Sequence, residues 1–76
     1  MSPDRLAYMA NQIGCFFAHQ PFEKAIASTA DHLKKFWDPR MRAAIFAHIE
    51  KGGAGLEPIA LAAVRALKAQ VESLEA

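Results

Sequence analysis

Leu33-Lys34-Lys35-Phe36-Trp37-Asp38-Pro39-Arg40-Met41-Arg42 is the stretch that decides the fold. Proline lacks an N–H and disfavours helix in the residue before it, yet its fixed φ suits the first position of a new helix. An aspartate just before that proline can bond the new helix's free N–H groups and oppose its positive dipole end. Asp38-Pro39 therefore reads as a corner between two helices, with Asp38 capping the second. Upstream, Phe22, Ile26, Thr29 or Ala30, Leu33 and Trp37 recur at helical spacing, with Glu23, Lys24, Ser28, Asp31, Lys34 and Lys35 on the other faces. This predicts a helix over about 21–36, opened by Gln20-Pro21. Downstream, Met41, Ala44, Ile45, His48 and Ile49 keep the spacing until Gly52-Gly53, where glycine can take the left-handed conformation that closes a helix after Lys51.

The same punctuation organises both ends. Ser2-Pro3 repeats the cap-then-proline signal and opens a helix over about 3–18. Its apolar stripe is Leu6, Met9, Ala10, Ile13 and Phe17, with Asp4, Asn11 and Gln12 mainly elsewhere. Gly52-Gly53-Ala54-Gly55-Leu56 is the one flexible-looking stretch, after which Pro58 opens a helix reaching Ser73 or Leu74. Along it Ala60, Val64, Leu67, Val71 and Leu74 form a narrow seam, fit either to pack inward or to join another helix. No segment alternates with period two. The expectation is all-α: one domain over 1–76, a compact bundle of about four helices with short Pro- and Gly-marked connections.

Composition narrows the function. Hydrophobic residues are 53% and charged residues 22%, which suits a folded domain rather than a disordered one. With only 76 residues the core is small, so a stabilising partner fits the size. A net charge of +1 is far from that of a dedicated nucleic-acid binder. The lone Cys15 cannot form an intrachain disulfide, the N-terminus is acidic where an export signal is basic, and no apolar run of about 18 residues occurs. These features predict a soluble, cytoplasmic protein without a membrane span.

Chemistry finds little support. Cys15 and His19 stand one helical turn apart, but with His32 and His48 they show none of the tight spacings of a zinc site, and no third group orients a thiolate. Cys15 reads as a small apolar residue packed between helices. Gly52-Gly53-Ala54-Gly55 lacks the Lys-Ser or Lys-Thr of a phosphate loop, and Asp31 and Asp38 do not form an acid–base pair. Catalytic, cofactor and metal residues are accordingly expected to be absent. The binding candidates are Lys34, Lys35, Phe36, Trp37, Arg40 and Arg42, because Trp and Arg are enriched at interface hot spots and adjacent Phe36 and Trp37 cannot share one helix face. The competing reading has Trp37 plugging the bundle end and the arginines solvating the surface or pairing with Asp31 and Glu50.

Met9-Ala10-Asn11-Gln12-Ile13-Gly14 with Phe16-Phe17, then Asp31-His32-Leu33 and Phe36-Trp37-Asp38-Pro39-Arg40-Met41-Arg42, resemble the delta subunit of molybdenum-containing, NAD-dependent formate dehydrogenases. The similarity runs through His48 and Gly52-Gly53-Ala54-Gly55-Leu56 into the last helix. The resemblance implies a non-catalytic accessory subunit without cofactors of its own. Its implied role is assembly or stability of the enzyme, through the large molybdenum-bearing subunit. Two other functions compete: a chaperone that touches the molybdenum cofactor through Lys34, Lys35, Arg40 and Arg42, and a self-contained homodimer or interaction module joined through the fourth-helix seam.

Overall fold

A computed structural model describes residues 2–75. Four helices follow one another as α1 (Pro3–Phe17), α2 (Phe22–Phe36), α3 (Pro39–Glu50) and α4 (Pro58–Glu75), and no strand occurs among the described residues. Each boundary has a local cause. The Ser2 hydroxyl accepts from the Arg5 N–H at 3.3 Å, and the Asp38 carboxylate accepts from the Met41 N–H at 2.9 Å. Helix α3 ends where the Gly53 N–H reaches the His48 carbonyl and the Gly52 N–H reaches that of Ile49, each at 3.0 Å. Gly52 and Gly53 hold φ of 113° and 67°, so the two glycines supply the left-handed turn this closure requires.

α4 is the central strut: it packs along α2 and also against α1 and α3, while α1 crosses α2 and α3. The core gathers Leu6 and Ala10, Ala30, Leu33 and Trp37, Ile45, and Ala60, Ala63, Val64 and Leu67. Small residues let the helices approach closely. A Cβ on Gly14 would lie 3.3 Å from Ile59 Cγ2 and 3.5 Å from the Ala60 nitrogen, so a side chain there would press α1 away from α4. Buried Thr29 satisfies its hydroxyl by donating to the Ala25 carbonyl at 2.7 Å.

The fourth-helix seam turns inward over Ala60, Val64 and Leu67, so these residues cannot join a second copy while this fold is intact. Its last members differ: Val71 is half-buried and Leu74 is 84% exposed. Phe22, expected in the core, is also exposed. It sits at the first residue of α2, one turn before the first buried residue, Ala25. Cys15, expected between helices, is exposed as well, since α1 turns Gly14 rather than Cys15 toward α4.

Candidate partner-binding site

The corner between α2 and α3 separates its two aromatic residues. Trp37 leaves the helix in extended conformation, as the chain must before Asp38-Pro39, and only 6% of it remains exposed. Phe36, on the last turn of α2, is 72% exposed. Beside it a line of rings crosses from α2 to α1. His32 lies 4.6 Å from Phe36 between ring centroids, Phe17 lies 6.4 Å from His32, and Phe16 meets Phe17 edge-on at 5.0 Å. Phe16 is 73% exposed. These separations and angles fall within those favoured by aromatic pairs.

The rings wall an open hollow of about 540 Å³, completed by Met9, Gln12, Ile13, Trp37 and Met41, with no carboxylate in its lining. Two large aromatics exposed on one depression form a contiguous apolar patch, the kind of surface that marks interaction sites. The hollow is the principal feature that the sequence did not reveal: Phe16 and Phe17 stand far from the corner in the chain, and nothing in the spacing of His32, one turn before Phe36, joins it to them. The signal available was Phe16-Phe17 itself, since a helix cannot bury both of two adjacent residues on one face.

The basic residues of the corner part company. Arg42 folds back on α2, its guanidinium donating to the Lys34 carbonyl at 2.7 Å and the Trp37 carbonyl at 3.1 Å. It closes the carbonyl end of one helix from the first turns of the next, a favourable place for a cation. Lys34 lies on the other side of α2, over a groove shared with Ile26, Ala30, Ala66 and Gln70. Lys35 pairs with Asp31 at 2.9 Å across a helical turn, an exposed pair of small energetic consequence. Arg40 is exposed, and its side chain makes no ion pair or hydrogen bond among the described residues. Glu50 pairs with Lys68, whose ammonium also meets Glu72; hydrogen bonds to both carboxylates, Glu72 first, raise the Lys68 pKa above 10.5.

Residues 5–64 match the family of the NADH-dependent formate dehydrogenase delta subunit FdsD. The chain belongs to that family. The matched span includes the whole aromatic hollow and the α2–α3 corner, and it ends within α4 at Val64. No curated protein and no solved structure matches the chain. A delta subunit belongs to a larger enzyme, so other subunits are its partners.

The residues considered for chemistry are engaged separately in this delta subunit. His19 Nδ1 is 3.1 Å from the Phe16 carbonyl, His48 Nε2 is 2.7 Å from the Ala54 carbonyl, and His32 belongs to the ring line. Cys15 borders a different depression with Phe22, Pro58 and Ile59. Among the described residues no three His, Cys, Asp or Glu side chains gather as a metal site. No described helix is long and apolar enough to cross a membrane.

Asn11 has a structural task that its polarity concealed. Its amide donates to the Gly55 carbonyl at 2.7 Å and its oxygen accepts from the Glu57 N–H at 2.9 Å, clamping the α3–α4 loop onto α1. His48 holds the same loop from the other end.

Proposed function

We propose that this chain is a non-catalytic delta subunit that stabilises or helps assemble a cytoplasmic formate dehydrogenase by docking its aromatic hollow on the large, molybdenum-bearing subunit. The observation that carries this reading is the exposure of Phe16 and Phe36 on one carboxylate-free depression within the family-matched span. Leaving such rings in water is unfavourable at roughly 25 cal/mol per Å² of apolar surface, a penalty that burial against another subunit would remove. The separate engagement of the three histidines supports a binding role over a catalytic one.

Direct contact with the molybdenum cofactor through Lys34, Lys35, Arg40 and Arg42 receives less support. Arg42 is held by two carbonyls, Lys35 by Asp31, and Lys34 faces another groove, so the four do not form one anion cradle. A tagged chain expressed with the other subunits of the enzyme tests the proposal. Recovery of the large subunit, with lower formate-dependent NADH production when this chain is deleted, is the expected result. Failure to recover it together with unchanged activity would overturn the reading.

A further inference from the structure

Two cations stand near the ends of the aromatic hollow at positions where helix electrostatics disfavours them. Arg5 is in the first turn of α1, one turn before Met9 on the same face, and Arg40 is in the first turn of α3, immediately before Met41. A helix N-terminus carries partial positive charge, so first-turn positions favour carboxylates. Arg42, two residues further along α3, is explained by its bonds to the α2 carbonyls. Arg5 and Arg40 have no such compensation: both are exposed, and neither side chain has an ion pair or hydrogen bond among the described residues. Residues that break a local rule without a visible internal gain are where function is to be sought.

The nearby acids are already engaged. Asp38 accepts from the Met41 N–H, Asp31 pairs with Lys35, and Asp4 occupies the first turn of α1, where its charge opposes the helix's positive end. The surface is thus an apolar, ring-walled hollow with one arginine a turn before its Met9 wall and another one residue before its Met41 wall, neither side chain paired among the described residues. Its electrostatic complement is an apolar anchor between carboxylates. A second copy of this chain is a poor occupant of the same patch, because a two-fold contact brings two identical surfaces together and so offers the Arg5 and Arg40 pair the same cations in return.

Resting on the delta-subunit reading above, we infer that the hollow receives an acidic amphipathic segment of another formate dehydrogenase subunit. One apolar side chain of that segment inserts between Phe16 and Phe36, and its flanking carboxylates meet Arg5 and Arg40. Ion-paired arginines give such a contact orientation as well as attraction.

The test uses the whole chain expressed with the other subunits of the enzyme. In one arm, Phe36→p-benzoylphenylalanine is photo-crosslinked in the complex and the joined peptide sequenced. The expected peptide comes from another subunit and carries at least two carboxylates within about two helical turns of the crosslinked residue. In the other arm, Arg5→Glu with Arg40→Glu reverses the charge while favouring the fold. Glutamate at position 5 completes a capping box with Ser2, and at position 40 it suits the first turn of α3. The expected outcome is an unfolding midpoint equal to or above that of the unaltered chain, with recovery of the complex at least about tenfold lower. A crosslink to a basic or uncharged segment or to a second copy, no crosslink in an intact complex, or charge reversal that leaves recovery unchanged would overturn the inference and leave the delta-subunit reading standing. Absence of any complex with the unaltered chain would overturn both.

Discussion

The two sides of α1 solve opposite problems. Toward α4 and the α3–α4 loop, α1 presents Ala7, Ala10, Asn11 and Gly14: small residues that admit close approach, and one amide that bonds two backbone groups of the loop. Toward the α2–α3 corner it presents Met9, Gln12, Phe16 and Phe17, large side chains around a hollow that this chain does not fill. The first side closes the fold. The second has its apolar area assembled and left open, as the proposed docking on another subunit requires.

That contrast sets the expected size of each perturbation. The largest effect belongs to the closed interior: Leu33→Ala should lower unfolding free energy by about 2–5 kcal/mol, comparable to the whole stability of so small a domain. Denaturation followed by circular dichroism measures it. Phe36→Ala, three residues away, should change stability by no more than about 0.5 kcal/mol. A similar loss for both would erase the distinction between core and open corner.

Next is the loop clamp. Asn11→Ala should lose about 1–2 kcal/mol and speed hydrogen exchange at the Glu57 amide, whose carbonyl partner on Asn11 is removed. Unchanged exchange there would mean that the loop is held from the His48 side alone.

A smaller effect separates the two arginines of the corner. Arg42→Ala should lose about 1 kcal/mol, since it frees the carbonyl end of α2, whereas Arg40→Ala should stay within about 0.5 kcal/mol. Equal losses in thermal unfolding would contradict their assignment to internal and external partners.

The smallest effect lies away from both sides, at Lys68. Its pKa is higher in the folded chain than in the unfolded one, so the contribution is fully present below pH 10.5 and is lost as pH rises through the raised value. Lys68→Met should lower stability slightly at neutral pH and remove the fall at alkaline pH from a stability–pH profile, so that the two chains converge above the raised value.

Most of the architecture was legible because it is written in local punctuation. Ser2-Pro3, Asp38-Pro39, Gly52-Gly53 and Pro58 mark helix ends by backbone constraints that no tertiary contact needs to confirm. Helical spacing likewise singled out Leu6, Leu33, Ile45 and Val64, all buried. The site was legible only at the corner. Spacing required Phe36 and Trp37 to diverge, but which ring enters the core depends on the extended turn into Asp38-Pro39. The Phe16–Phe17–His32–Phe36 line depends on how α1 crosses α2, a relation between segments that neither segment's own pattern contains. Asn11 escaped for the same reason: its partners lie 44 and 46 residues away. Phe22 and Cys15 show the converse limit. Helix phase or residue type suggested burial, but neighbouring helices decide where burial stops.

The most direct measurement is made on Phe16→Ser with Phe36→Ser in one chain, comparing its unfolding midpoint with its recovery of the large subunit. The account predicts a midpoint close to that of the unaltered chain and recovery at least about tenfold lower, because both rings are exposed in the free subunit and only docking would bury them. Full recovery with a native midpoint would contradict the claim that the aromatic hollow is the docking surface.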